Sequence, residues 1–139
     1  MERVSRPLGH MIDKILVVAA VIRRDESILL CLRPQHKRHG GLWEFPGGKV
    51  QPGETLVEAI CREMQEELLV EATSSGETLF IAHDKGSPFE IHFIATELVG
   101  EPLATEHDRI EWINIASFDQ YPLAPCDHEF AQKFFKSTE

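Results

Sequence analysis

Three glutamates stand close together near the middle of the chain, at a spacing that suits metal chemistry. Glu63, Glu66 and Glu67 fall at positions i, i+3 and i+4, so on an α-helix their carboxylates would project from one face within little more than one turn. Like charges so placed repel by about 0.2–0.5 kcal/mol per pair, whereas Mg²⁺ and Mn²⁺ require clustered oxygen ligands. The spacing therefore predicts either a divalent-metal site or a solvated helix face on which Arg62 pairs with Glu58 or Glu66.

The surrounding pattern predicts the helix that would carry these glutamates. Thr55 and Glu58 have the spacing of a capping box, and the apolar residues that follow recur at helical spacing: Ala59, Ile60, Met64, Leu68 and Leu69. The preceding Pro46-Gly47-Gly48 is expected to turn tightly and to approach a ligand closely. Because a glycine turn before a helix can hold phosphate oxygens, adjacent phosphate and metal sites are predicted, a combination that suits a polyphosphate with bridging metal.

Apolar patterning predicts further elements on both sides of this helix. The predicted strands cover residues 14–24, 27–32, 42–45, 78–83, 89–98 and 109–114, and a second helix covers 127–136. A turn at Asp25-Glu26 would join the first two strands in a hairpin. Strands and helices neither alternate strictly nor segregate, which predicts an α/β (α+β) domain whose mixed β-sheet is flanked by helices. We expect one domain over residues 11–139, preceded by a disordered N-terminal extension over residues 1–10.

Charge and length exclude several classes of protein. The 139 residues include 14 Lys and Arg against 23 Asp and Glu, a formal charge of −9. This acidic balance counts against a partner that is a nucleic acid polymer or an anionic membrane. The longest apolar run, residues 15–22, is less than half of the roughly 20 residues that a membrane helix needs. The sequence does not decide between a monomer and a homodimer.

Cysteines and histidines show no zinc or disulfide pattern. Cys31, Cys61 and Cys126 are widely spaced, which favours free thiols in a reducing cytoplasm. The histidines lack metal-ligand spacing and are expected to be surface or core residues: His36, His39, His83, His92, His107 and His128.

The string GKVQPGETLVEAICREMQEELLV, Gly48 to Val70, resembles the Nudix box. That pattern is Gly, five residues, Glu, seven residues, Arg-Glu, an apolar residue, any residue, Glu-Glu, any residue, Gly and an apolar residue. The matching positions are Gly48, Glu54, Arg62, Glu63, Met64, Glu66, Glu67 and Val70. Leu69 departs from the pattern because the box has glycine there, so a left-handed helix end would cost about 1 kcal/mol or the helix must close differently.

The resemblance extends beyond the box to nearly everything from residue 11 onward. The segment LWEFPGGK, residues 42–49, is similar to the approach to the box in the MutT-like branch, which hydrolyses nucleoside triphosphates to monophosphate and pyrophosphate. Glu106 and Trp112 resemble the late acidic loop of that branch, and YPLAPCD, residues 121–127, resembles its base-pocket segment. The resemblance implies the Nudix fold, an α/β/α sandwich with a mixed β-sheet.

The resemblance also implies a divalent-metal site, with Mg²⁺ as the cofactor and Mn²⁺ as a substitute. The implied metal ligands are Glu63, Glu66, Glu67, Glu106 and the backbone carbonyl of Gly47. Arg62 would orient the carboxylates, with Glu54 close by. Either Glu63 or Glu106 would be the general base, and Glu106 as an ordinary exposed acid stays an alternative.

Four residues are candidates for substrate binding: Arg33, Phe45, Lys49 and Asp127. Lys49 would stabilise the leaving group or lie on the surface, and Phe45 would contact the base or belong to the core. Asp127 stands where MutT-like relatives place a base-contacting side chain, and an ionised Asp only accepts hydrogen bonds. Because an acceptor suits the N4 amino group of cytosine, Asp127 favours a cytidine-type or modified pyrimidine triphosphate over an oxidised guanine. A helix N-cap is the alternative role of Asp127.

Two functional hypotheses follow. The first is a metal-dependent nucleoside triphosphate pyrophosphohydrolase that cleanses a nucleotide pool, with an 8-oxo-dGTP-selective enzyme of the MutT type as a variant. The second is a nucleotide-sensing module that keeps the fold without turnover. The intact carboxylates of Glu63, Glu66 and Glu67 favour the enzyme. Diphosphate-linked sugars, ADP-ribose and dinucleoside polyphosphates stay open as competing substrates.

Overall fold

A computed structural model describes residues 14–135 of the protein, and eight strands, two α-helices and one 3-10 helix lie in that range. The strands are β1 (Ile15–Arg24), β2 (Ser27–Leu32), β3 (Trp43–Glu44), β4 (Gly47–Lys49), β5 (Glu71–Thr73), β6 (Thr78–His83), β7 (Phe89–Val99) and β8 (Arg109–Asn114). The helices are α1 (Leu56–Leu68), the 3-10 helix (Ile115–Gln120) and α2 (Pro125–Phe135). The extension predicted over residues 1–10, and Lys136 at the predicted end of the second helix, lie outside the described residues.

The strands form a mixed sheet with β1 at its centre. β1 pairs in parallel with β7, in a register that runs from Ile15 opposite Phe89 to Ile22 opposite Thr96. The main order is β3-β2-β1-β7-β5, and β8, β4 and β6 pair with β2, β1 and β7. The other pairings between these eight strands are antiparallel, and an isolated parallel bridge joins Trp43 to Leu123. The mixed sheet and the hairpin between β1 and β2 are therefore confirmed.

The two α-helices cover opposite faces of this sheet. Alternation along β1 sends Val18 and Ala20 into the core under α1, together with Met64, whereas Ala19 faces the core under α2, together with Phe130. Both cores are closed by side chains that are almost fully buried. The result is the α/β/α sandwich that the resemblance implied.

Both ends of α1 follow from local chemistry. The Thr55 hydroxyl accepts the Glu58 amide at 3.1 Å and the Glu58 carboxylate accepts the Thr55 amide at 2.9 Å, so the predicted capping box is confirmed. At the other end Leu69 adopts the left-handed conformation, with φ 51° and ψ 42°. The helix therefore keeps the left-handed termination that usually takes glycine, although Leu69 carries a side chain that is 54% exposed.

The prediction of a glycine turn leading into the helix is wrong. Gly47–Lys49 forms β4, antiparallel to β1, and residues 50–55 separate it from α1. A Cβ atom on Gly47 would lie 1.9 Å from the carbonyl oxygen of Val18, so glycine allows close approach of β1 here. The third strand is also shorter than predicted, and β5 and the 3-10 helix were not predicted. No helix within residues 14–135 has the length and apolar character needed to cross a membrane.

Candidate active site

Arg62 organises the acidic face of α1. Its Nε and Nη2 atoms donate to the Glu54 carboxylate at 2.6 and 3.0 Å, and Nη1 donates to Glu63 at 3.0 Å and to Glu66 at 3.2 Å. Nη2 also donates to the carbonyl of Lys49 at 2.9 Å. The hydrogen bond with Arg62 lowers the pKa of Glu54 below its usual value. One guanidinium therefore links three carboxylates to the end of β4.

This network decides between the two partners that helical spacing allowed for Arg62. Glu66 is the partner on α1, whereas Glu58 is occupied by the capping box. β4 lies close against the same face, because a Cβ atom on Gly48 would come within 2.4 Å of Glu63 Oε2. Gly48 thus leaves the space in which the Glu63 carboxylate lies.

Glu67 differs from Glu63 and Glu66, which accept hydrogen bonds from Arg62. The residue is 7% exposed, and its Oε1 atom has no hydrogen-bond partner among the described residues. Burial, reinforced by Glu63, Glu44 and Glu106, raises the pKa of Glu67 well above its usual value. A divalent cation would supply the missing partner and offset the repulsion between carboxylates, so this donor set fits a hard cation.

The carboxylates do not by themselves form a finished metal site. Within residues 14–135, no three His, Cys, Asp or Glu side chains are gathered closely enough to hold a metal ion. The hydrogen bonds from Arg62 hold Glu63 and Glu66 instead. Metal binding at these residues stays a prediction.

Glu67 opens into a cavity of about 190 Å³ between β1, β4, the segment after β2, the loop before β8 and the first turn of α2. Its lining combines carboxylates with two cations, a histidine and apolar groups: Arg33, Lys37, Glu44, Phe45, Gly47, Gly48, Glu67, Glu106, His107, Asp127 and others. A larger cavity of about 680 Å³ lies beside α2, between Val21 and Phe134, and its described lining includes none of the candidate site residues. The smaller cavity is therefore the candidate active site.

A short extension of the sheet places Asp127 in this cavity. The amide of Trp43 donates to the carbonyl of Pro122 at 2.8 Å, and the amide of Ala124 donates to the carbonyl of Trp43 at 2.9 Å. α2 begins directly afterwards, and Asp127 Oδ2 accepts the amide of Phe45 at 2.8 Å. Because α2 starts at Pro125, the N-cap role considered for Asp127 is wrong. The carboxyl instead accepts a backbone hydrogen bond from Phe45, the residue that follows β3.

The environment of Asp127 changes its hydrogen-bonding capacity. Burial, reinforced by Glu44 and opposed by the Phe45 amide and Arg33, raises the pKa of Asp127 to about 8. This shift favours the protonated carboxyl at neutral pH, and that form can donate as well as accept a hydrogen bond. The acceptor-only role expected from the sequence applies to the ionised carboxylate, and the role of Asp127 at the base stays a prediction.

Arg33 and Glu44 form the wall opposite α1. Arg33 Nη1 contacts both carboxylate oxygens of Glu44, at 3.0 and 3.2 Å, and its Nε donates to the carbonyl of Arg38 at 2.7 Å. The ring of His107 approaches Glu44 Oε2 through Nε2 at 2.9 Å. Sequence reasoning did not identify Glu44, His107 or Lys37 as site residues. The proximity of His107 to Glu106 in sequence was the available signal.

The remaining candidates occupy different positions. Glu106 lines the cavity. Phe45 both lines it and packs edge-on against Phe93 and Phe130, with ring centroids 5.8 and 5.4 Å apart, so its pocket and core roles coexist. The ammonium of Lys49 lies over the Phe89 ring, 5.6 Å from its centroid, outside the described lining.

Comparison with known proteins identifies the family and its relatives. Residues 13–136 match the family described as NUDIX domain. The chain is 42% identical over 121 residues to the CTP pyrophosphohydrolase of Escherichia coli (strain K12), covering 85% of this chain and 89% of that protein. It is 30% identical over 134 residues to the 8-oxo-dGTP diphosphatase of Haemophilus influenzae, covering 92% and 97%. The solution structure of the E. coli ORF135 protein superposes with a TM-score of 0.79 at 40% identity, covering 96% of each chain.

Proposed function

This chain is a member of the Nudix hydrolase family, and we propose that it hydrolyses nucleoside triphosphates to nucleoside monophosphate and pyrophosphate. The observation that carries this proposal is the shared cavity, which is lined by Glu67 and Glu106 as well as by Asp127 and Phe45. A nucleotide that lies across this cavity would place its phosphates beside the acids and its base beside Asp127. The enzymatic hypothesis is favoured over a sensing module because every acid of the box is present.

Nudix hydrolases generally need divalent metal ions, and we propose Mg²⁺ here, with Mn²⁺ as a substitute. Glu63, Glu66, Glu67 and the carbonyl of Gly47 would hold the ions from one side, and Glu106 from the other. The unpartnered Oε1 of Glu67 supports this assignment. The bound metal would neutralise phosphate charge and acidify the attacking water.

The protein's own residues would bind and orient the substrate. Arg62 keeps Glu63 and Glu66 on one side of the site through its hydrogen bonds. Either Glu63 or Glu106 would accept a proton from the attacking water, since either carboxylate could lie near a metal-bound water. Lys49 would reach the leaving group only by moving away from the Phe89 ring.

We propose a cytidine-type or modified nucleotide as the preferred substrate. The similarity to the E. coli CTP pyrophosphohydrolase supports this choice, and Asp127 can accept a hydrogen bond from the cytosine amino group. The second candidate is 8-oxo-dGTP, because a protonated Asp127 can also donate toward an oxidised guanine and the chain is similar to an 8-oxo-dGTP diphosphatase.

Cellular context is a further part of the proposal. Cys31, Cys61 and Cys126 are free thiols, which supports a reducing compartment, the cytoplasm. The net charge of −9 supports a small-molecule nucleotide, and not a nucleic acid polymer or a membrane, as the partner.

Hydrolysis with Mg²⁺ at slightly alkaline pH tests the function, measured as pyrophosphate release from the triphosphates and as nucleotide products released from ADP-ribose and the dinucleoside polyphosphate. The panel contains CTP, dCTP, 5-substituted pyrimidine triphosphates, 8-oxo-dGTP, the common nucleotides, ADP-ribose and a dinucleoside polyphosphate. We expect a cytidine-type triphosphate to have the highest kcat/KM. Preference for 8-oxo-dGTP would support the second candidate. Metal binding without turnover of any compound would contradict the enzymatic proposal and support the sensing module.

Asp127→Asn tests how the base is read. An amide always presents both a donor and an acceptor, so the ratio of kcat/KM for CTP to that for 8-oxo-dGTP should change by roughly tenfold, the value of about one hydrogen bond. An unchanged ratio would restrict Asp127 to its structural bond with Phe45. Asp119→Asn is a matched control, because Asp119 lies in the 3-10 helix outside the described cavity lining.

A further inference from the structure

The loop that carries Glu106 is attached to both walls of the cavity. On one side, Thr105 Oγ1 donates to the carbonyls of Glu66 and Glu67 at 2.9 and 2.8 Å, and the Thr105 amide donates to the carbonyl of Glu67 at 3.1 Å. On the other side, His107 is bonded to Glu44 on β3. Glu106 therefore lies between one residue anchored to the acidic helix and one residue anchored to the base-side strand.

His107 differs from an ordinary surface histidine. Its side chain is 7% exposed, and Nδ1 is buried with no partner among residues 14–135. The hydrogen bond from Nε2 to Glu44 is thus the polar contact that the structure gives this ring. A buried ring with only one of its two nitrogens hydrogen-bonded contributes little stability.

Neighbouring carboxylates repel Glu106 at the cavity. Glu106 lines a cavity that also contains the carboxylates of Glu44 and Glu67, and like charges in a partly buried site repel. Glu106 is also exposed, so solvent offers its side chain an alternative position. Anchors on both sides of Glu106 would oppose such a displacement.

We propose that His107 is a positioning residue that holds Glu106 over the cavity and, through Glu44, links Glu106 to Arg33. The inference rests on the proposed hydrolase function and adds a residue to the same site. Arg33 and Glu44 form the base-side wall, so the hydrogen-bonded series Arg33, Glu44 and His107 connects the nucleoside position with the loop. Positioning of Glu106 would act on the chemical step more than on nucleotide binding.

The test compares kcat, KM and the melting temperature of four variants, with saturating Mg²⁺ and the best substrate of the panel. His107→Ala should lower kcat roughly tenfold or more, because displaced catalytic groups lose rate steeply, with KM little changed. His107→Gln should restore most of kcat, since its amide can donate to Glu44 from a similar position. Glu44→Gln should also raise KM, because Arg33 loses its ionic partner. His83→Ala is the matched control, being an exposed histidine outside the described cavity lining.

The double variant His107→Ala/Glu44→Gln separates coupling from independent damage. If His107 acts through Glu44, the double variant loses less kcat than the product of the single losses. An unchanged kcat in His107→Ala would overturn the inference. So would a loss of kcat that His107→Gln does not restore and that parallels a loss of melting temperature. A wild-type protein that hydrolyses no nucleotide would instead contradict the proposed function, and the inference with it.

Discussion

At the residue scale, Glu66 combines high exposure with a central chemical position. Its side chain is 52% exposed and contacts Arg62 at 3.2 Å. Glu66→Gln keeps the shape and removes the charge, so the free energy of unfolding should change by less than about 0.5 kcal/mol. Activity should fall roughly 100-fold or more if Glu66 is the metal ligand that we propose, since loss of a ligand costs at least as much as loss of its outer partner. Kinetics and thermal unfolding of the same preparation measure both quantities.

Glu71→Gln provides the control for Glu66→Gln. Glu71 is an exposed glutamate in β5, four residues beyond Glu67. It should retain both activity and stability. Full activity of Glu66→Gln would remove that carboxylate from the mechanism.

Burial of Asp127 makes stability depend on pH. Its pKa is raised to about 8 from the ordinary 3.8, so between these values the folded protein holds a proton that the unfolded chain releases. The free energy of unfolding should therefore fall as pH rises through this window, with this residue contributing at most about 1.4 kcal/mol per pH unit. Denaturant unfolding from pH 4.5 to 8.5 measures the slope.

Asp127→Asn should remove this contribution, since an amide does not titrate there. As pH rises through the window, the variant should therefore become more stable relative to the wild-type protein. A difference that stays constant across the window would mean that Asp127 is ionised in the folded protein at neutral pH.

At the element scale, the end of α1 carries a conformational cost. Leu69 adopts φ 51° and is 54% exposed, so its side chain contributes little packing while its backbone occupies a region that favours glycine. Leu69→Gly should stabilise the protein by about 0.5–1 kcal/mol and leave kcat unchanged. Thermal unfolding should show a rise of roughly 2–4 °C. Leu69→Ala keeps the left-handed strain and should give no rise in melting temperature. Equal melting temperatures of both variants would show that the backbone conformation of Leu69 is not the source of the cost.

Elements with strong local signals were predictable, and elements held by tertiary pairing were not. The capping box at Thr55 and the apolar residues at helical spacing predict α1. A long apolar run predicts β1, and alternating apolar residues predict β7. By contrast, β4 contains two glycines and a lysine, and its extended conformation exists because it pairs with β1. The start of α2 was placed two residues late, which turned a first-turn Asp127 into an N-cap.

In the candidate site, too, the residues brought together by local spacing could be predicted, and those brought together by tertiary contacts could not. Helical spacing alone brought Glu63, Glu66 and Glu67 to one face, because such spacing is a local property of α1. Glu44 and His107 are separated by 63 positions and meet only when β3 and the loop before β8 fold onto the same cavity. No local pattern encodes that contact.

At the scale of the whole molecule, negative charge opposes the proposed substrate. The chain carries a formal charge of −9, and three of its glutamates, Glu44, Glu67 and Glu106, line the same cavity. A nucleoside triphosphate brings further negative charge, so divalent cations must reduce repulsion within the protein as well as between protein and substrate. Metal binding should therefore be visible in the stability of the protein alone.

Mg²⁺ should raise the melting temperature in the absence of nucleotide. A ligand that binds the folded state at 100 times its Kd stabilises it by about 2.7 kcal/mol, which corresponds to a rise of roughly 8–10 °C for a domain of this size. NaCl at equal ionic strength screens surface charge without occupying a carboxylate site, so it should give a smaller rise. Glu66→Gln should reduce the Mg²⁺-specific part, and chelation should reverse it together with activity. Equal rises with both salts would show that the carboxylates of α1 respond to ionic strength and bind no divalent ion.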